Sequence, residues 1–164
     1  MRVIIIGNGG AAIESIIAMR RGGYDSEIHL FSDSVFPAIN PTLLTYYIAD
    51  KIGMEDVFTC SGDFYKEYRV DLHMGSKVVK LDAVGKTVEN AAGVKMSYDS
   101  CIVCSGASPV IPKEYQGKFV YTIRSVSGAI ELKKGIATKK KALIAGASLI
   151  GLKVGETGCG RKNS

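Results

Sequence analysis

Val3-Ile4-Ile5-Ile6-Gly7-Asn8-Gly9-Gly10-Ala11-Ala12 stands almost at the start of the chain, and its reading decides the fold. The β-branched run from Val3 to Ile6 suits a strand buried on both faces, as in the middle of a parallel sheet. The six residues after it spell G-x-G-x-x-A without a gap. Gly7 allows a sharp turn out of the strand. Gly9 offers no side chain where backbone must approach a ligand, and Ala12 keeps a helix close to the sheet. Residues 13–21 continue as that helix, so its first N–H groups and positive dipole end face any pyrophosphate placed there. A glycine-rich turn without a ligand is the bland alternative. The strand before the motif and the helix after it favour a dinucleotide site built on Gly7, Gly9, Gly10, Ala11 and Ala12.

Working outward, Arg20-Arg21-Gly22-Gly23 reads as a helix stop. Glu27-Ile28-His29-Leu30-Phe31 is a second strand, ended by Ser32-Asp33-Ser34. An acidic group about 20 residues past the glycines is where a ribose hydroxyl is held. Asp33 is that candidate, with Ser32 or Ser34 as substitutes. Residues 37–41 form an irregular loop, and residues 42–49 a helix with Thr42 as its cap. Residues 63–68 read as a short helix and residues 70–74 as an alternating strand. Residues 77–82 and 87–90 form a hairpin, to which residues 94–98 add a third strand. Residues 99–104 are apolar again, another buried strand, ending at Ser105-Gly106-Ala107-Ser108-Pro109.

Residues 118–124 read as a strand entering a linker, and residues 127–135 as a short helix. Lys141-Ala142-Leu143-Ile144-Ala145 reads as a further buried strand. Gly146-Ala147-Ser148-Leu149-Ile150-Gly151 repeats the opening layout as G-x-S-x-x-G, with Ser148 in place of the middle glycine. Its Cβ holds the backbone back from a phosphate, and Gly146, Ser148 and Gly151 read as the opening turn of a second nucleotide domain. Gly155, Gly158 and Gly160 make residues 152–164 a poor helix. The expected class is α/β: a Rossmann-like parallel sheet with helices on both faces and a small antiparallel meander. Residues 1–115 make a first nucleotide-binding domain. Residues 116–164 make a linker and the start of an incomplete second one.

With 164 residues, 46% hydrophobic and 23% charged, the chain has the composition of a soluble globular protein. The net charge of +5 owes much to Lys133-Lys134, Lys139-Lys140-Lys141 and Arg161-Lys162. No aromatic residues interleave with them, so a solvated linker and tail is expected and not a nucleic-acid surface. No apolar run reaches the ~18 residues of a membrane span, and Glu14 comes too soon for a signal-peptide core. A cytoplasmic protein with reduced thiols is expected. Cys101 and Cys104 are spaced C-x-x-C, but on a strand residues three apart face opposite ways, which prevents pairing or a shared metal. His29 and His73 sit in strand patterns without a carboxylate-rich or cysteine-rich setting. They read as structural, and no metal site is expected.

Two nucleotide turns flanking a meander and a C-S-G-A-S-P segment resemble the FAD-dependent pyridine nucleotide-disulfide oxidoreductases. The branch it looks most like holds NADH oxidases, coenzyme A-disulfide reductases and rubredoxin reductases. The resemblance runs from Met1 to about Gly151. It rests on Gly7 to Ala12, Pro41-Thr42-Leu43-Leu44-Thr45-Tyr46-Tyr47, Tyr98-Asp99 leading into Cys104 to Pro109, and Gly146 to Gly151. It implies FAD held at its pyrophosphate by Gly7, Gly9 and Ala12 and at its ribose by Ser32 or Asp33. Val78 then lies beside the adenine, Asn40 and Pro41 border the flavin, and Ser105-Gly106 line the back of the site. It further implies that electrons pass from NAD(P)H through flavin to an acceptor, and that Gly146, Ser148 and Gly151 are a vestigial NAD(P) turn.

Disulfide-handling members place a reactive cysteine near Thr42, where this chain reads Pro41-Thr42-Leu43. That argues against chemistry through a cysteine and leaves open direct transfer to a carrier such as rubredoxin or ferredoxin. Asn40 stands where many relatives carry a basic residue. The segment that completes the family's first domain, the rest of the NAD domain and the dimerisation domain lie outside this sequence. The isolated chain is therefore expected to bind FAD weakly or not at all, and not to oxidise NADH. The alternative reading is a non-catalytic nucleotide-binding or oligomerising module from a truncated gene, whose open sheet edge a second copy or another chain covers.

Overall fold

The computed structural model describes residues 1–117, 119–139 and 141–159. The elements run β1 (Arg2–Ile6), α1 (Gly10–Arg21), β2 (Glu27–Phe31), α2 (Leu44–Ile48), α3 (Gly62–Glu67), β3 (Val70–His73), β4 (Val78–Asp82), β5 (Thr87–Asn90), β6 (Lys95–Ser97), β7 (Ser100–Val103), α4 (Val126–Thr138) and α5 (Leu149–Cys159). They fall into two units. The first comprises Met1–Ile39 with Phe58–Ala107, the second Asn40–Val57 with Ser108–Ser164.

In the first unit four parallel strands take the order β3-β2-β1-β7. The β-branched run of β1 lies in the middle, where both faces are covered. Val3 and Ile5 point to one face, with Ile28 and Leu30 beside them, and pack under Ala12, Ile13 and Ile16 of α1 and Tyr65 of α3. Ile4 and Phe31 point to the other, against Val88 of β5, with Val78, Met96 and Tyr98 around them. Burial of each such large side chain contributes about 1.5–3 kcal/mol. The helical layer covers the first face, and the antiparallel sheet β4-β5-β6 covers the second. Arg20 fastens the end of α1. Its guanidinium donates to the carbonyls of Tyr24, Ser26, Tyr68 and Arg69 at 2.7–3.0 Å.

The second unit is helical among the described residues, with α2 packed against α4 and α5. Lys133 Nζ lies 2.5 Å from Asp50 Oδ1 and 4.1 Å from the centre of the Tyr47 ring. Here the sequence expectations need four corrections. The helix expected from Thr42 begins as a 3-10 turn, Pro41–Leu43, and its cap is Asn40, whose Oδ1 accepts from Thr42 N–H at 3.1 Å. Residues 119–124 form no strand, and neither do residues 141–145. A strand is stable only in a ladder, and the described part of this unit offers no other strand to pair with. Leu143 is accordingly 96% exposed. Of residues 152–164, expected to be poorly helical, 152–159 belong to α5 despite Gly155 and Gly158, and 160–164 lie outside the described residues.

Candidate functional site

The corner between β1 and α1 is built from the backbone. Gly7 has φ +105°, and a Cβ there would sit 2.2 Å from the Cys104 carbonyl oxygen and 3.0 Å from Ser105 N. Only glycine allows both that conformation and that approach. Gly7 N–H donates to the Phe31 carbonyl at 2.8 Å, and Cys104 N–H to the Ile6 carbonyl at 2.7 Å. The turn is thereby fixed to the ends of β2 and β7, and Ser105 and Gly106 (φ +65°) lie on its β7 side.

Gly9 is the N-cap of α1, and no side chain caps that end. A Ser, Thr, Asp or Asn cap in place of Gly9 would stabilise the helix by only a few tenths of a kcal/mol. The Gly9 carbonyl accepts from Ala12 and Ile13 N–H. Among the described residues, the N–H groups of Gly9, Gly10 and Ala11 meet no protein acceptor. A Cβ at Gly9 or Gly10 would meet nothing within 4 Å. Three free donors, the positive end of a twelve-residue helix and open space in front of them match what a diphosphate needs.

Sequence reading missed the support behind this turn. Tyr65 O–H donates to Asn8 Oδ1 at 2.9 Å and accepts from Ala38 N–H at 3.3 Å and from the Cys60 thiol at 3.4 Å. Burial pushes its hydroxyl pKa up to about 12. Asn8 Nδ2 is buried without a partner among the described residues, an amide left over inside the glycine turn. Tyr65 occupies an ordinary helix position in the sequence, so only the fold reveals its role.

At the end of β2, Ser32 is buried and Asp33 exposed. Ser32 Oγ accepts from Ser34 N–H at 3.1 Å, within its own turn. Val78, at the start of β4, packs on the Ile4–Phe31–Val88 cluster. Asn40 and Pro41 belong to the second unit, where Asn40 Oδ1 also accepts from Thr42 Oγ1–H at 2.6 Å. Gly146, Ser148 and Gly151 lie there too. Gly146 has φ +108°, and a Cβ on Gly151 would meet the Gly146 carbonyl at 2.2 Å, so the small residues of the second turn pack tightly. Unlike Gly9, Ser148 brings a hydroxyl that accepts from Gly151 N–H at 3.5 Å.

The thiols divide as the strand period requires. Cys101 packs with the antiparallel sheet and Cys104 with α1, and burial raises both pKa values. His29 and His73, expected outside any carboxylate-rich setting, both lie beside the Asp71 carboxylate. Parallel pairing sets His29 opposite Asp71, with His73 one alternation further along β3. The sequence signal was the D-x-H alternation of β3, invisible as a cluster until the strands are paired.

The chain matches the family described as pyridine nucleotide-disulphide oxidoreductase over residues 1–161. It belongs to that family. The family consists of FAD-containing, NAD(P)H-dependent reductases. The NADH-dependent phenylglyoxylate dehydrogenase subunit epsilon of Aromatoleum evansii is 28% identical, over 94% of this chain and 37% of that protein. The rubredoxin-NAD(+) reductase of Ectopseudomonas oleovorans is 26% identical, over 98% of this chain and 42% of its own length. The crystal structure of the ferredoxin reductase for the CYP199A2 system from Rhodopseudomonas palustris superposes with a TM-score of 0.88. At 22% identity it covers 96% of this chain and 39% of that one, which speaks for the fold. The chain thus spans about two fifths of the length of these family members. No helix among the described residues is long and apolar enough to cross a membrane.

Proposed function

We propose that this chain is the FAD-binding part of an NAD(P)H-dependent flavoprotein oxidoreductase that passes electrons to an acceptor without an active-site cysteine. The uncapped N-terminus of α1, with its free N–H groups and open space, is the observation that carries this reading. Gly9, Gly10 and Ala11 hold the diphosphate, while Gly7 and Ala12 shape the turn. Asp33, exposed where Ser32 is buried, takes the ribose hydroxyls. Val78 lies beside the adenine, Ser105 and Gly106 line the back, and Asn40 and Pro41 border the flavin. When bound, FAD supplies the hydride and electron transfer chemistry. The chain's own residues bind and orient it, and none acts as acid, base or nucleophile.

Pro41-Thr42-Leu43 carries no thiol, which supports transfer to a carrier protein of the rubredoxin or ferredoxin kind. The name of the rubredoxin-NAD(+) reductase relative supports the same acceptor class. Gly146, Ser148 and Gly151 are a vestigial NAD(P) turn, in which Ser148 serves the backbone in place of a phosphate.

Titrating FAD into the purified chain, followed by flavin fluorescence, tests the site. Weak saturable binding is expected, with ADP as a competitor, and Gly9→Asp abolishes it by setting a carboxylate before the amides. Equal binding by the variant contradicts the reading. NADH oxidation by the isolated chain stays at background, and a stoichiometrically yellow protein with steady NADH turnover contradicts that part.

A further inference from the structure

The side chains of His29, Asp71 and His73 meet on one side of the β2–β3 pair. Their facing atoms form a small triangle. His29 Nδ1 lies 3.1 Å from His73 Nε2 and 3.2 Å from Asp71 Oδ2, and the third side, His73 Nε2 to Asp71 Oδ2, is 3.8 Å. Ligands about 2.0–2.2 Å from a zinc ion in tetrahedral array stand about 3.4 Å apart, so one cation fits at contact distance from all three. Proton sharing alone serves these atoms poorly. A single N–H on His29 Nδ1 points at the carboxylate or at the other imidazole, not at both.

We propose that His29, Asp71 and His73 form a binding site for a divalent first-row cation of the zinc kind. Two imidazoles and one carboxylate are a ligand set suited to such ions and not to magnesium. The ligands differ in exposure as an entry path requires. The His29 side chain is 9% exposed and fixes one corner, while the Asp71 carboxylate is 63% exposed and leaves the outer side open to a water ligand.

Behind the site, His29 Nε2 is buried without a hydrogen-bond partner among the described residues, and Glu27 Oε2 lies 4.0 Å from it. Glu27 also accepts from Arg2 Nε at 2.9 Å. A ligating histidine typically donates its other ring N–H to a carboxylate, and a small movement of Glu27 supplies that bond. Phe31 stacks on the His73 ring at 4.4 Å and holds it in place. The site lies on the sheet and uses none of the residues assigned to the nucleotide.

The chain has two histidines in all, both in this cluster, so their imidazole resonances are assigned by a single variant. The test adds Zn²⁺ to the purified, chelator-stripped chain with its thiols alkylated. It reads stoichiometry against a competing chromophoric chelator and the ring nitrogens by ¹⁵N NMR. The expected result is one Zn²⁺ per chain, with shifts at His29 Nδ1 and His73 Nε2 and no competition from Mg²⁺. Asp71→Asn, nearly isosteric at an exposed position, removes the stoichiometric site, and Glu27→Gln weakens it about tenfold. Absence of bound Zn²⁺, binding that leaves both imidazoles unshifted, or undiminished binding by Asp71→Asn overturns the proposal.

Discussion

Tyr65 shows how one side chain sets the geometry of a backbone site. Its hydroxyl is the shared partner of Asn8 Oδ1 and Ala38 N–H. Tyr65→Phe keeps the ring in the core but strands both groups, at a cost of about 1–3 kcal/mol. The pH dependence has a definite sign. Burial raises the hydroxyl pKa from 10.0 to about 12, so the unfolded chain loses this proton first. The stabilisation is complete below pH 10 and falls away as pH rises from 10 toward 12. Urea midpoints of the wild type and Tyr65→Phe are therefore expected to differ most below pH 10 and to converge above it. A gap that stays constant to pH 12 contradicts this role. Tyr65 was not legible as a site residue, because hydrogen bonding to a loop 57 positions away in sequence leaves no local pattern.

At the scale of elements, the legible parts are those that carry their own instructions. The four β-branched residues of β1 form a strand because parallel neighbours exist on both sides, β2 and β7. Residues 141–145 show the same kind of apolar run and form none among the described residues, since pairing is not encoded in a run. For α5, counting glycines misled. Ser148, whose carbonyl and hydroxyl accept from Leu152 and Gly151 N–H, starts the helix and offsets part of their entropic cost. The His29–Asp71–His73 cluster was hidden for a related reason, because register between strands is a non-local property. Arg20 gives the element-scale prediction. It joins the end of α1 to the loop before β2 and to the turn between α3 and β3 through four carbonyls. Arg20→Met keeps most of the aliphatic stem and is expected to cost about 2–3 kcal/mol, read as a lower urea midpoint with unchanged slope. A midpoint within error of wild type contradicts the clamp.

For the molecule as a whole, the arrangement of the first unit follows from alternation along two strands. Val3 and Ile5 face the helices while Ile4 faces the antiparallel sheet, so one strand serves two cores. That layering leaves the β1–α1 corner at the end of the sheet, where nothing needs to fill it and its amides stay free. Family membership agrees with this anatomy over residues 1–161. The chain spans about two fifths of its relatives' length, so binding of a dinucleotide is the part of the family's work that its own residues support most directly. Amide NMR of the ¹⁵N-labelled chain during titration with FAD to millimolar concentration measures that part. The largest shifts are expected at Gly9, Gly10 and Ala11, with loss of those shifts in Gly9→Asp. Unchanged resonances at these three amides at saturating FAD, or shifts confined to Gly146–Gly151, would contradict it.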